Sequence, residues 1–108
     1  MKQQMAKVLH KEDFPQTVAE GKVLVEFYSD SCVPCKRMSP LLAQLDEDGI
    51  IPVYKVNIVH SQALAVQYEV QSTPTLIVFE NGREVARNHG YLNKAKLHAF
   101  LQEAGAAG

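Results

Sequence analysis

The sequence predicts an α/β protein with a mixed central sheet of about five strands flanked by about four helices. Three observations carry this. Strand-like runs alternate with helix-like segments over the first two thirds of the chain, the pattern that feeds parallel pairing through crossovers. Asn81 and Gly82 join two strand-like runs directly. That dipeptide is the favoured chemistry of a two-residue hairpin, so the last pair should be antiparallel. Finally, Cys32 and Cys35 stand where an apolar run gives way to helical spacing.

Residues 6–9 suit a short edge strand. Asp13 reads as an N-cap, with Pro15 in the first turn and Val18 and Ala19 on the inner face of a helix ending at Gly21. Residues 23–28 are nearly all aliphatic or aromatic, as a strand covered on both faces requires. Residues 30–35 open a helix in which Met38, Leu41, Leu42 and Leu45 recur at helical spacing, and residues 46–49 end it. Residues 52–58 read as a strand, and Ser61 as the cap of a short helix carrying Leu64, Ala65 and Tyr68. Residues 75–79 and 83–87 are the hairpin strands. Asn93 caps a last helix with Leu97, Phe100 and Leu101 on one side, and the tail at 104–108 should fray.

The 108 residues correspond to one domain, 1–108, and 46% hydrophobic residues suffice for a core without staples. Eleven basic against twelve acidic residues leave a net charge of −1, which gives no electrostatic case for nucleic acid or an anionic membrane. No apolar stretch approaches the roughly 20 residues that span a bilayer, and the first ten residues lack the apolar core of a signal peptide. Two cysteines are too few for a secreted disulfide scaffold. A cytoplasmic protein is expected.

The chemistry lies in the cysteine pair. At i and i+3 the two sulfurs share one face of a helix start, where they can close a disulfide or present two thiols. Cys32 falls just before the first turn, where free N–H groups and the helix dipole favour a thiolate. Pro34 suits helix entry, and Cys35, one turn deeper, should be less exposed and placed to attack a mixed disulfide on Cys32. Two other readings stand beside this one. A zinc half-site could be completed by His10, His60, His89 or His98, but no paired histidine spacing and no second Cys-x-x-Cys is present. Two inert core cysteines are the other, against which stands their position between strand and helix.

Residues 25–36, Val-Glu-Phe-Tyr-Ser-Asp-Ser-Cys-Val-Pro-Cys-Lys, resemble the strand-to-active-site segment of the thioredoxin family. Ser39-Pro40 resembles its proline-containing active-site helix, Thr73-Pro74-Thr75 its cis-proline loop, and Asn81-Gly82 and Gly90 its hairpin turn and late glycine. The resemblance covers essentially the whole chain. It implies the thioredoxin fold, a redox disulfide between Cys32 and Cys35, Cys32 as the attacking thiol and Cys35 as the resolving one. It implies Pro74 as a cis-proline and the Thr73 backbone as the seat of an extended client segment, with Val33 and Pro34 beside the sulfurs. It also implies that Glu26 stands for an internal aspartate that relays protons, with Lys55 as its lysine neighbour.

Departures accompany these matches. Ser31 and Tyr28 stand where the family usually has tryptophan, Val33 where it has glycine, and Val59 where it has aspartate. Val33 is stiffer than glycine, and Ser31 removes an apolar contact beside the sulfurs. Lys36 and Arg37 could stabilise the Cys32 thiolate or form a solvated face. Glu26 interrupts a strand that should be buried on both faces, and a carboxylate there must be neutral or paired. It could serve as a relay, or reach an edge and pair with Lys55 structurally.

The expected activity is reduction of protein disulfides by thiol–disulfide exchange. The chain has no dinucleotide-binding glycine pattern, so no cofactor is expected and electrons should come from a separate reductase, which the resemblance implies is a thioredoxin reductase. Without a paired histidine spacing or a second Cys-x-x-Cys, no metal is expected either. Disulfide-containing client proteins are the other partners, and a monomer is expected. A redox-inert binding module and an oxidant or isomerase are the competing functions.

Overall fold

The computed structural model describes residues 6–105. Five strands and four helices follow in the order β1 (Lys7–Val8), α1 (Phe14–Val18), β2 (Lys22–Tyr28), α2 (Val33–Glu47), β3 (Val53–Asn57), α3 (Gln62–Gln67), β4 (Thr75–Glu80), β5 (Arg83–His89) and α4 (Lys94–Glu103). The sheet order is β1-β3-β2-β4-β5. β3 pairs parallel with both β1 and β2, while β4 runs antiparallel to β2 and β5. β2 is therefore central, which is why its run is apolar on both faces.

Alternation along β2 divides the core in two. Val23, Val25 and Phe27 face Phe14, Val18, Ile77 and Phe79. Leu24 faces Met38 and Leu42 of α2 and Leu97 and Leu101 of α4. The hairpin forms as its chemistry demands: Asn81 and Gly82 hold φ of 52° and 86°, the doubly positive pair of the primed turn that matches strand twist. The Asn81 side chain also accepts a 2.8 Å hydrogen bond from the Gly21 N–H, closing the hairpin against the entry to β2. Asn93 Oδ1 accepts from the Lys96 N–H at 2.9 Å, a cap worth about 1 kcal/mol.

Several expectations need correction. α1 ends at Val18 rather than at Gly21, because a single turn anchored by buried Phe14 and Val18 is all the core covers; Ala19 is exposed. Asp13 and Ser61 occupy N-cap positions, yet neither side chain makes a capping bond. β5 continues beyond Arg87 to His89, since Asn88 and His89 still pair with Leu76 and Thr75. Of the expected frayed tail, Ala104 caps α4 and the Gly105 carbonyl accepts from Lys22 Nζ at 2.9 Å. Residues 106–108 lie outside the described residues.

Candidate active site

β2 ends at Tyr28 and delivers the chain to Cys32, the N-cap of α2. Cys32 is extended, with φ −86° and ψ 107°, and its Sγ accepts the Cys35 N–H at 3.1 Å. Val33 and Pro34 fill the first two helical positions, and Pro34 has no N–H to leave unsatisfied there. An N-cap oxygen is thus replaced by a sulfur, and the same N–H and the helix dipole favour negative charge on it. Cys32 and Cys35 are joined as a disulfide with Cα atoms 5.2 Å apart. Cys32 keeps 8% of its surface exposed and Cys35 3%, so the asymmetry runs in the expected direction but Cys32 is more enclosed than its position suggests. Val33 is the exposed neighbour, at 64%.

Because β4 is antiparallel to β2 with Thr75 opposite Phe27, β4 starts at the end of the sheet where β2 finishes. Thr73 and Pro74 stand at that end, and the peptide between them is cis. The segment is strapped to the end of β5. Gly90 N–H donates to the Pro74 carbonyl at 2.8 Å, and Thr75 Oγ1 donates to the Ser72 carbonyl at 2.7 Å and lies 3.2 Å from His89 Nδ1. Val59, past the end of β3, is exposed and its N–H donates to Asn57 Oδ1 at 2.9 Å; nothing in the structure explains its replacement of aspartate.

Glu26 lies fully buried in β2, in register with Lys55 of β3 and Leu76 of β4. It does not reach an edge. Lys55 Nζ lies 3.8 Å from Glu26 Oε1, and among the described residues neither carboxylate oxygen accepts a hydrogen bond. Burial pushes the Glu26 carboxyl up from 4.5 to about 7, against a smaller downward pull from the Lys55 charge. Lys55 also donates to Ser39 Oγ at 3.4 Å and sits 4.4 Å from the Tyr28 ring centroid. Ser39 Oγ in turn donates to the Cys35 carbonyl at 3.2 Å. A cavity of about 150 Å³ opens among Tyr28, Cys35, Lys36, Ser39 and Lys55. The structure therefore links Glu26 and Lys55 to the Cys35 turn through Ser39, whose role its i+4 spacing from Cys35 could have signalled.

A dithiol at a helix start can open and close a disulfide by exchange with another one. The family model described as Thioredoxin matches residues 5–103. The chain belongs to the thioredoxin family. A thioredoxin of Chlamydia caviae is 43% identical over 100 residues, covering 92% of this chain and 98% of that one. A thioredoxin of Staphylococcus epidermidis is 37% identical over 93 residues, covering 84% and 89%. The solved structure of a point-mutant thioredoxin from Halobacterium salinarum superposes with a TM-score of 0.82 at 27% identity, covering 94% of this chain and 93% of that one. The protein has the thioredoxin fold, and Cys32 and Cys35 give it the thiol–disulfide oxidoreductase chemistry of the family.

Proposed function

We propose that the protein is a single-domain, monomeric, cytoplasmic reductant of protein disulfides, re-reduced by a thioredoxin reductase. The observation that carries the proposal is the N-cap position of Cys32, whose Sγ takes the Cys35 N–H at 3.1 Å at the start of a fifteen-residue helix. In the reduced protein the same dipoles stabilise a Cys32 thiolate. That thiolate attacks one sulfur of a client cystine. A bond forms between them, the client's S–S bond breaks, and the leaving client sulfur carries away the electron pair and takes a proton. Cys35 then loses its proton and attacks Cys32, closing the protein's own disulfide and releasing the second client thiolate. The net change is two-electron oxidation of the protein and reduction of the client.

Glu26 is the acceptor suited to the Cys35 proton, because a carboxyl near 7 is partly ionised at neutral pH. Lys55 holds charge beside it and Ser39 ties Lys55 to the Cys35 turn. Val33 and Pro34 on one side and Thr73 and Pro74 on the other form the client-binding rim, with the client segment extended along Thr73.

Insulin precipitation driven by dithiothreitol tests the activity, and the expected result is clear acceleration over dithiothreitol alone. Cys35→Ser should accumulate mixed disulfides with oxidised cellular protein on a non-reducing gel, and Cys32→Ser should trap far less. No acceleration by the parent, or equal trapping by the two variants, would overturn the reading.

A further inference from the structure

Arg37 of α2 and Tyr91 of the loop between β5 and α4 meet across the surface, and neither belongs to the dithiol or to the buried pair. Arg37 is exposed on α2, two residues after Cys35. Its guanidinium carbon stands 4.7 Å from the centroid of the Tyr91 ring, within range of a cation–π contact. Among the described residues Arg37 makes no ion pair, so the ring is the partner that orients it. Tyr91 follows Gly90 and keeps 37% of its surface exposed. Gly90 is fixed on both sides: its N–H holds the Pro74 carbonyl at 2.8 Å, and its own carbonyl accepts from Asn88 Nδ2 at 3.2 Å. A continuous chain of contacts thus runs from the dithiol helix through Arg37, Tyr91 and Gly90 to Pro74.

We propose that the Arg37–Tyr91 contact is a strut that sets the position of the Thr73–Pro74 segment relative to Cys32, so that an extended client segment seated on Thr73 presents its cystine to the Cys32 sulfur. Arg37 and Tyr91 are positioning residues here. The proposal deepens the reductase reading and rests on it. Its physical requirement is modest. In-line displacement at sulfur needs the client sulfur brought to the thiolate in one orientation, and a small misplacement costs rate. A protein cystine is held by its backbone at the rim, so it depends on the spacing between rim and dithiol. A small free disulfide approaches Cys32 unaided and does not.

The test uses the pre-reduced full chain in stopped-flow against two probes, insulin and the small aromatic disulfide dithiobis(nitrobenzoate). Arg37→Ala and Tyr91→Leu are each expected to lower the maximal rate of insulin reduction about two- to fivefold, the size of an exposed cation–π contact. The half-saturating insulin concentration and the rate with the small disulfide should change less. Tyr91→Phe retains the ring face and should return the parent value. The double variant should be no worse than the worse single variant, because both break one contact. Both side chains are exposed, and urea midpoints within error of the parent verify that each variant is folded. Equal losses on both probes, additive losses in the double variant, or an effect of Arg37→Ala with none of Tyr91→Leu would overturn the strut, the last pointing to bare charge on the thiolate. A parent that fails to reduce insulin at all would overturn the reductase reading and the strut together; a reactive parent with variants indistinguishable from it would overturn the strut alone.

Discussion

The two faces of β2 are built from alternate residues of one strand, and they are opposites. Val23, Val25 and Phe27 enter a dry cluster in which Phe14, Tyr68 and Phe79 stack with ring centroids 5.3 to 5.5 Å apart. On the other face Leu24 enters an equally apolar cluster, but two residues later Glu26 puts a carboxylate into the sheet. The polar intrusion is confined to the end of that face beneath α2, where Cys35, Ser39 and Lys55 border one cavity. One face is optimised for packing alone. The other gives up stability at a buried carboxyl, 3.8 Å from the Lys55 ammonium.

The largest expected effect sharpens the dry side of this comparison. Phe27→Ala removes a fully buried ring from the centre of the aromatic face, where α1, α3 and the sheet leave little room to collapse. It should cost about 3–5 kcal/mol in urea unfolding. In the fraction that remains folded, the rate of insulin reduction per molecule should stay near that of the parent. A folded variant with lost activity would mean that the dry face also shapes the dithiol.

Glu26 supplies the opposite sign. Its folded value of about 7 is above its ordinary 4.5, so the folded protein holds the proton more tightly than the unfolded chain. The stability this contributes is fully present below about pH 4.5 and is lost as pH rises through about 7. A shift of that size corresponds to roughly 3 kcal/mol. Glu26→Gln and Glu26→Leu should therefore gain stability over the parent on the order of 3 kcal/mol at pH 8, a gain that shrinks towards pH 4. Both should slow the resolving step. Parallel urea-midpoint curves for parent and variants across that range would show that Glu26 is not the group responsible.

The same contrast separates what is legible in the amino-acid sequence from what is not. The aromatic and aliphatic face, the hairpin at Asn81-Gly82 and the Asn93 cap follow from local rules, and all three form as those rules demand. The dithiol is equally legible, because an N-cap cysteine followed by proline and a second cysteine is a local pattern. Asp13 and Ser61 have capping chemistry but not the extended backbone of Cys32 and Asn93: at φ −86°, ψ −20° and φ −125°, ψ 59° neither side chain makes a capping bond. The other features that local rules miss depend on neighbours distant in sequence. Ala19 stays outside because α1 stops where the core stops. The cis Thr73–Pro74 peptide has only a family resemblance behind it, since the residues themselves favour trans. Arg37 reads as a solvated charge until Tyr91, more than fifty residues away, comes under it.

Lys55 allows the wet face to be tuned without emptying it. Its charge is the one influence that draws Glu26 down against burial. Lys55→Met keeps most of the aliphatic length of the side chain but removes that charge, and with it the ammonium that sits over the Tyr28 ring. The Glu26 midpoint should then rise above about 7, and the pH at which the stability loss levels off should rise with it, while its onset near 4.5 stays fixed by the unfolded chain. Infrared titration of the buried carboxyl reads this directly. A midpoint that falls instead would mean that some group other than Lys55 sets the local potential.

Ser39→Ala is the gentlest break. It deletes a 3.4 Å hydrogen bond from Lys55 and a 3.2 Å bond to the Cys35 carbonyl, but leaves every charge in place. Released from Ser39, the Lys55 ammonium can move outward through the cavity that both side chains line, since it is already partly exposed. Its pull on Glu26 should weaken without vanishing. The Glu26 midpoint should therefore move in the same direction as in Lys55→Met, but by less, and the double variant should match Lys55→Met alone because Ser39 acts only through that ammonium. Stability should change by about 1 kcal/mol, because both lost bonds are long and partly exposed and each lies at the low end of the usual worth of about 0.5–1.5 kcal/mol. Carboxyl titrations of the two single variants and the double variant decide the matter. An additional shift in the double variant would give Ser39 its own contact with the proton path, and no shift in Ser39→Ala would leave the serine as a local brace for the proline-containing turn of α2.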